Sequence, residues 1–105
     1  MQHVLFNLLK NALYAIESAQ KGEITMWVAS AEKSNCLYFK DTGKGMDERQ
    51  LLRLFDHFYT TTYMGTGLGL SFCKLVMLRF GGNISCEAVE DKYTQFMLTF
   101  PGLKH

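Results

Sequence analysis

Apolar residues switch between helical and alternating spacing along this chain of 105 residues, and the order of the switches restricts the fold. Residues 4–16 carry a helical stripe that ends near Gly22. Residues 23–30 then alternate between apolar and polar, and residues 36–40 follow after a polar turn. This part of the chain predicts one helix and then an antiparallel strand pair.

The middle of the chain predicts a loop and a short helix. Residues 41–46 hold two glycines and read as a loop. Asp47 has the position of an N-cap, with Gln50 three residues later, for a helix over residues 48–54. Residues 56–66 show no clean period, so we predict an irregular segment there.

The last part of the chain predicts a helix and two strands. Residues 68–80 are apolar almost all round and end at Gly81-Gly82, which predicts a buried helix with a glycine C-terminal signal. Residues 83–89 and 94–100 read as strands. Strand pairs separated by helices favour an α+β fold, a two-layer sandwich with a mixed, mostly antiparallel sheet covered on one face by helices. We expect residues 1–105 to form one domain.

Composition excludes several classes of function. Hydrophobic residues make up 48% of the chain and charged residues 20%, with a net charge of +1 and no basic run for nucleic acid. No apolar stretch reaches the ~20 residues that span a bilayer, and no signal peptide is visible. The three cysteines are far apart, which favours reduced thiols in a cytoplasmic protein.

A glycine-rich segment opens the predicted helix of residues 68–80. It reads Gly65-Thr66-Gly67-Leu68-Gly69. Glycines at a helix N-terminus let backbone N–H groups approach a phosphate, although such a segment is often only a turn. The segment lacks the Gly-Lys-Ser/Thr of a P-loop and the preceding strand of a dinucleotide fingerprint.

A second glycine loop follows the second strand. It reads Asp41-Thr-Gly43-Lys-Gly45. A carboxylate at a strand end can accept a hydrogen bond from an exocyclic amine, and the glycines let a flat ring lie against the backbone. An Asp-capped turn is the alternative.

Two asparagines lie four residues apart on the first helix. Asn7 and Asn11 therefore project from one face. Amide oxygens are suitable ligands for Mg²⁺, which binds few protein groups and the phosphates of a substrate. A pair of buried, hydrogen-bonded asparagines is the alternative.

Taken in order, these segments resemble the ATP-binding domain of bacterial sensor histidine kinases. That superfamily also includes gyrase, the ninety-kilodalton heat-shock chaperones and the mismatch-repair ATPases. Residues 7–12 resemble its asparagine box, residues 41–45 its first glycine box, residues 55–58 its phenylalanine box and residues 65–70 its second glycine box. The resemblance covers nearly the whole chain and implies a Bergerat-type sandwich that binds Mg-ATP.

The resemblance also implies roles for individual residues. Asn11 would bind Mg²⁺, Asp41 would bond the adenine amino group, and Thr94 with Phe96 would close the adenine side. Gly43 and Gly45 would line the adenine pocket, while the glycines of the second box would present backbone N–H groups to the phosphates. The full set implied at the nucleotide is Asn11, Asp41, Gly43, Gly45, Thr62, Gly65, Thr66, Gly67, Leu68, Gly69 and Thr94.

The residue at position 7 distinguishes the histidine kinases of this superfamily from its other members, and here it is Asn7. Non-kinase members typically carry a glutamate there as general base, and an amide cannot take a proton. The resemblance thus implies transfer of the γ-phosphoryl group to a histidine, with Asn7 and Asn11 as catalytic residues. An ATP-hydrolysing relative and a degenerate nucleotide- or partner-binding module stay open as alternatives.

The chain departs from the family's pattern near the phosphates. Tyr14 and Thr62 stand where many members carry a basic residue, and Tyr93 replaces a usual glycine. We hypothesise weak nucleotide affinity for the isolated domain, with Lys10, Lys44 or Lys74 as substitute cations. Calorimetry that finds submicromolar ATP binding would contradict this hypothesis.

The helical hairpin that carries the phosphoacceptor histidine and dimerises such kinases is absent from this sequence. We therefore expect an excised catalytic domain whose partner is the dimerisation domain of the same kinase, and indirectly a response regulator. The expected setting is the cytoplasmic portion of a membrane-anchored sensor, without direct membrane contact.

Overall fold

The computed structural model of the chain describes residues 2–30, 34–56 and 69–101. Three helices and four strands form within these ranges, which confirms the predicted α+β fold. In chain order they are α1 (Gln2–Ala19), β1 (Ile24–Ser30), β2 (Ser34–Asp41), α2 (Glu48–Arg53), α3 (Gly69–Arg79), β3 (Asn83–Val89) and β4 (Tyr93–Pro101).

The four strands form one sheet in the order β1-β2-β4-β3, and every described neighbouring pair is antiparallel. Phe39 of β2 pairs with Phe96 of β4, and Asp41 pairs with Thr94. Cross-strand partners share a face of the sheet. The register therefore places two buried aromatic residues beside the buried Asp41 and Thr94.

The predicted first helix is confirmed, but its buried face is narrower than its apolar stripe. Val4, Leu8 and Ala12 are at most 1% exposed and face the core. Leu9 and Leu13, which belong to the same stripe, are 40% and 52% exposed. Apolar spacing alone therefore overestimates how much of α1 the fold covers.

The capping box predicted for the short helix is present. The side chain of Asp47 accepts a hydrogen bond from the backbone N–H of Gln50 at 2.8 Å, and the Gln50 side chain accepts one from the Asp47 N–H at 3.0 Å. Two N–H groups at the start of α2 are thereby satisfied by side chains. The box starts α2 directly after the loop of residues 42–47 and brings the buried Leu54 toward the core.

The prediction that the last helix is buried is wrong for its outer side. Cys73 and Met77 are fully buried, whereas Phe72, Leu75 and Leu78 are between 45% and 53% exposed. The physical reason is that α3 contacts α1, β3 and β4, all on one side, and a two-layer sandwich has no third layer beyond the helices.

The glycine signal at the end of α3 is confirmed. Gly81 adopts a φ of 79°, its N–H donates to Leu78 O at 3.0 Å, and the Gly82 N–H donates to Met77 O at 2.9 Å. These two bonds form a Schellman motif, which requires a left-handed residue where Gly81 stands. The chain turns there into β3.

The helices cover only part of the sheet. Ile84, Phe96 and Leu98 are buried beneath them, but Met26 and Val28 at the β1 edge remain 50% and 68% exposed on the same face. No helix of the described ranges is long and apolar enough to cross a membrane. The three cysteines, all described, are free thiols.

Candidate functional site

A cleft of about 320 Å³ that opens to solvent lies where α1, the loop after β2, β4 and the start of α3 meet. Among the described residues it is lined by Asn11, Tyr14, Ala15, Asp41, Lys44, Met46, Leu54, Leu70, Thr94 and Phe96. The structure thus brings Asn11, Asp41 and Thr94, which are distant in the sequence, to one cleft.

Asp41 forms the buried acidic part of this cleft. The residue is 3% exposed, and one carboxylate oxygen accepts a hydrogen bond from the Gly43 N–H at 3.0 Å. Burial raises the pKa of the Asp41 carboxyl to about 6, against the smaller lowering effect of the Gly43 bond. At pH 7 the group is mostly ionised and can accept a further hydrogen bond. The Asp-capped turn named as the alternative is also present, since the Asp41 carboxylate accepts from the N–H of Gly43 two residues later.

The two glycines of this loop serve its packing and do not line the cleft. A Cβ on Gly43 would lie 2.5–2.7 Å from backbone atoms of Ala15 and Ile16, so the loop rests directly on α1. Gly45 has a φ of 65°, and a Cβ there would collide with Val89 O at the end of β3. The structure shows this packing role for both glycines, and that they also line an adenine pocket stays a prediction.

The asparagine face of α1 points toward the start of α3. The Asn11 amide nitrogen donates to Asn7 O at 2.8 Å, and the Asn7 amide nitrogen donates to His3 O at 2.8 Å. With each nitrogen bonded to the backbone, the amide oxygens are the atoms directed outward. Asn11 lines the cleft, and the side chains are half-buried rather than enclosed in the core.

Asn7 does not line the cleft but closes against the neighbouring helix. A Cβ added at Gly69 would lie 2.6 Å from Asn7 Oδ1. The first residue of α3 is therefore packed directly against this amide, with no space for a side chain. The last glycine of the second glycine box and the first asparagine of the asparagine box thus lie together.

Several predicted site residues lie outside the described ranges. They are Thr62, Gly65, Thr66, Gly67 and Leu68. Of the phenylalanine box, Phe55 is described, and its ring meets that of Phe96 edge-on at a centroid distance of 6.5 Å and an interplanar angle of 75°. Phe55 thereby supports the aromatic residue that lines the cleft.

Further residues line the cleft without having been assigned there from the sequence. Met46, Leu54 and Leu70 make its walls apolar. Met46 follows Gly45 directly in the sequence, and this position at the end of the first glycine loop was the signal that could have placed Met46 in the cleft. Tyr14 and Lys44, which were named from the sequence in connection with the phosphates, also line the cleft, and the Lys44 ammonium lies 4.4 Å from the centroid of the Tyr14 ring.

Tyr93, one of the departures from the family's pattern, lies away from the cleft. Its hydroxyl bonds Glu87 Oε1 at 2.8 Å, and the Lys40 ammonium lies 4.7 Å from its ring centroid. Lys40 alternates with the buried Phe39 and Asp41, so this group of residues is on the outer face of the sheet. The substitution at position 93 therefore does not alter the cleft lining.

The donor set fits a metal that arrives with a nucleotide. The described residues hold no cluster of three or more His, Cys, Asp or Glu side chains that could bind a metal ion by themselves. A Mg²⁺ ion commonly binds one or two protein oxygens and completes its shell with phosphates and water. The outward-directed amide oxygen of Asn11 in the cleft suits that arrangement.

Comparison with known proteins assigns the family. The family model described as "Histidine kinase-, DNA gyrase B-, and HSP90-like ATPase" matches residues 1–104. The chain belongs to this family. Membership supports ATP binding in two-component signalling, and it confirms the resemblance drawn from the four motifs.

Similar proteins within the family are sensor kinases. The autoinducer 1 sensor kinase/phosphatase LuxN of Vibrio campbellii is 39% identical over 99 residues, which are 93% of this chain and 12% of LuxN. The CAI-1 autoinducer sensor kinase/phosphatase CqsS of Vibrio cholerae is 38% identical over 104 residues, 96% of this chain and 15% of CqsS. The sensor protein SrrB of Staphylococcus aureus is 36% identical over 107 residues, 96% of this chain and 18% of SrrB.

A solved structure gives the same fold. The mycobacterial sensor histidine kinase MprB matches with a TM-score of 0.81 at 23% sequence identity, over 98% of this chain and 72% of that one. The chain spans less than a fifth of the length of LuxN, CqsS and SrrB.

Proposed function

We propose that this domain binds Mg-ATP and transfers the γ-phosphoryl group to a histidine on a separate dimerisation domain in two-component signal transduction. The observation that carries the proposal is the meeting of Asp41 and Asn11 in one apolar-walled cleft. One residue suits adenine and the other a metal-bound phosphate, in a family of ATPases whose similar members are sensor kinases.

Adenine recognition would rest on Asp41 and the apolar walls. The ionised carboxylate accepts a hydrogen bond from the exocyclic amino group of the base, and Thr94 beside it is buried and polar. Leu54, Leu70 and Phe96 offer apolar surface to the faces of the ring. Because Asp41 is buried, leaving it without that donor costs more than the same loss at the surface.

Phosphate chemistry would rest on position rather than on a protein base. Asn11 would hold Mg²⁺ by its amide oxygen, and the ion, when bound, would neutralise charge that develops on the phosphates. Asn7 cannot accept a proton, so nothing at that position activates water or a hydroxyl group. A histidine acceptor needs no such activation, because its neutral imidazole is already nucleophilic.

The wider setting follows from the relatives. They are named as sensor kinases, two of them as kinase/phosphatases, and this chain spans only a small share of each. We propose that the domain works in the cytoplasm beside the phosphoacceptor domain of the same kinase, and that a response regulator receives the phosphoryl group afterwards.

A second candidate is a nucleotide-binding module without phosphotransfer. It is favoured by Tyr14, which lines the cleft where many kinases carry a basic residue near the phosphates. A missing cation would weaken stabilisation of the transition state more than it weakens binding of adenine.

A phosphotransfer assay separates the two candidates. The chain is mixed with γ-labelled ATP, Mg²⁺ and a separately prepared dimerisation domain of a sensor kinase, and label on histidine is located by mass spectrometry. We expect labelled histidine with the unchanged chain and loss of it in Asn11→Ala. Glu17→Ala, an exposed change on the same helix, is the matched control and should keep the activity.

The outcomes have distinct meanings. Nucleotide binding without any labelled histidine, tested with the dimerisation domains of several relatives, would favour the binding module. Release of inorganic phosphate without labelled histidine would favour an ATP-hydrolysing relative. Absence of nucleotide binding by the unchanged chain would end the proposal.

A further inference from the structure

We propose, on the basis of the function proposed above, that Lys44 supplies the positive charge that the nucleotide phosphates meet in this cleft, and that the ring of Tyr14 positions it. The positive charge would come from the first glycine loop, residues 41–45, instead of from position 14 of α1. Three lysines were candidates for this role from the sequence, and the structure separates them.

Two of the three lysines are engaged elsewhere. The Lys74 ammonium bonds Asn83 Oδ1 at 2.7 Å and Ile84 O at 2.9 Å, which ties it to the start of β3. Lys10 is exposed, and its ammonium lies 5.6 Å from the ring centroid of Phe6, a residue 59% exposed on α1. Neither lysine lines the cleft, whereas Lys44 does.

The backbone of Lys44 is fixed on both sides. Its N–H donates to Ala15 O at 3.2 Å, and its carbonyl oxygen accepts from the Asp91 N–H at 2.7 Å. The flanking Gly43 and Gly45 are buried, and they pack closely against the backbone of α1 and against Val89 at the end of β3. A cation on a fixed backbone loses less conformational freedom on binding than one on a mobile loop.

The side chain of Lys44 is directed by Tyr14. The ammonium lies 4.4 Å from the Tyr14 ring centroid, within the range of a cation–π contact. Tyr14 follows Asn11 by three residues on α1, and helical side chains lean toward the N-terminus of their helix. The ring therefore leans toward the turn of α1 that carries Asn11, and the ammonium that contacts this ring lines the same cleft as Asn11.

The charge balance of the cleft favours an anion beside Lys44. Among the described residues that line it, Lys44 is the one cation and Asp41 the one carboxylate. Asp41 is buried and bonded to the Gly43 N–H, whereas Lys44 is only partly buried. Because Mg²⁺ leaves part of the triphosphate charge uncompensated, an ammonium in the cleft that Asn11 also lines would attract the phosphates but not the neutral base.

Calorimetric titration with Mg-ATP, Mg-ADP and adenosine tests the assignment of Lys44. We expect Lys44→Met to weaken Mg-ATP and Mg-ADP by about tenfold, the usual loss for a hydrogen bond to a charged group, and adenosine by less than about twofold. Lys44→Arg should keep most of the phosphate-dependent affinity. Lys40→Met is the matched control, since Lys40 makes a similar cation–π contact with Tyr93 on the outer face of the sheet, and it should change none of the three.

Equal losses for ATP and adenosine in Lys44→Met would overturn the assignment and make Lys44 a structural residue. Unchanged affinities for all three ligands would overturn it as well. If the unchanged chain binds none of the ligands, the proposed function fails first and this assignment with it. Binding by the unchanged chain together with an unaffected Lys44→Met leaves the proposed function intact and rejects only the assignment.

A double-mutant cycle tests the positioning by Tyr14. Tyr14→Leu removes the ring and should weaken Mg-ATP severalfold in the unchanged background, with no further loss in the Lys44→Met background. Tyr14→Phe keeps the ring and should keep most of the affinity. An equal loss on Tyr14→Leu in both backgrounds would show that the ring acts independently of Lys44 and would overturn the positioning role.

Discussion

Asp41 brings burial and charge together at the end of β2. A buried carboxylate is unfavourable unless hydrogen bonds compensate it, and this one has a single described bond, from the Gly43 N–H. The pKa of Asp41 is raised because this one hydrogen bond does not fully compensate the burial of its charge. A ligand that donates a hydrogen bond to Asp41 would relieve it, which is why this residue dominates the adenine end of the proposed site.

The pKa of about 6 predicts a pH dependence of adenosine binding. Protonation of Asp41 removes its charge, so we expect adenosine affinity to fall as the pH is lowered through about 6, by up to about tenfold one pH unit below the pKa. Adenosine is the suitable ligand because phosphate groups titrate in the same range. Titration calorimetry across this range measures the effect, and Asp41→Asn should bind adenosine weakly and without that dependence.

The raised pKa of Asp41 also makes the stability of the fold depend on pH, in the opposite direction to adenosine binding. The pKa of Asp41 is higher in the folded chain than its ordinary value of 3.8, so the folded state binds a proton more tightly. The stability contribution of this group is present below about pH 4 and is lost as the pH rises through about 6. The difference in unfolding free energy between the unchanged chain and Asp41→Asn isolates this group, and a difference that does not fall for the unchanged chain as the pH rises from about 4 through about 6 would contradict the raised pKa.

At the scale of elements, α1 carries both the core and the site on different sides. Val4, Leu8 and Ala12 pack inward, while Asn7, Asn11 and Tyr14 face the cleft and α3. Leu9 and Leu13 remain exposed on a further side. The helix is therefore apolar over a wider arc than the core requires.

Two leucines of α1 provide a matched test of this arrangement. Leu8 is 0% exposed and Leu13 is 52% exposed on the same helix. We expect Leu8→Ala to lower the free energy of unfolding by about 2–5 kcal/mol, because it leaves a cavity in the core. Leu13→Ala should cost about 1 kcal/mol or less. Urea denaturation followed by circular dichroism measures both, and similar losses for the two variants would mean that the outer side of α1 is covered.

The parts of the fold that the sequence predicted are those with a local cause. The capping box of Asp47 and Gln50 and the glycine end at Gly81 are encoded within a few residues, and both form as expected. The burial of α3 could not be predicted, because it depends on whether another layer covers the helix. Leu75 and Leu78 look like core residues by spacing, and only the two-layer packing leaves them exposed.

The site was predictable to a similar degree. Asp41, Asn11 and Thr94 were placed together by resemblance to a family whose motifs are specific, and they line one cleft. The contact between Tyr14 and Lys44 was not predictable, since it joins α1 to a loop distant in sequence. Gly43 and Gly45 were assigned to the adenine pocket, but their close approach to α1 and the β3–β4 turn is a property of the packed fold.

At the scale of the whole molecule, the fold and the family are shared by enzymes with different chemistry. A fold therefore does not decide the function, which depends on the residues in the cleft. The sensor kinases LuxN, CqsS and SrrB are several times longer than this chain. The requirement that we propose for this domain itself is to bind the nucleotide with its base at Asp41.

That requirement is tested most directly by comparing Mg-ATP with Mg-triphosphate, which lacks the base, in calorimetric titrations of the unchanged chain and of Asp41→Asn. We predict that the unchanged chain binds Mg-ATP more tightly than Mg-triphosphate. Asp41→Asn should weaken Mg-ATP by about tenfold or more and leave Mg-triphosphate within about twofold. Equal binding of Mg-ATP by both proteins, or an equal loss for both ligands, would contradict the placement of adenine at Asp41.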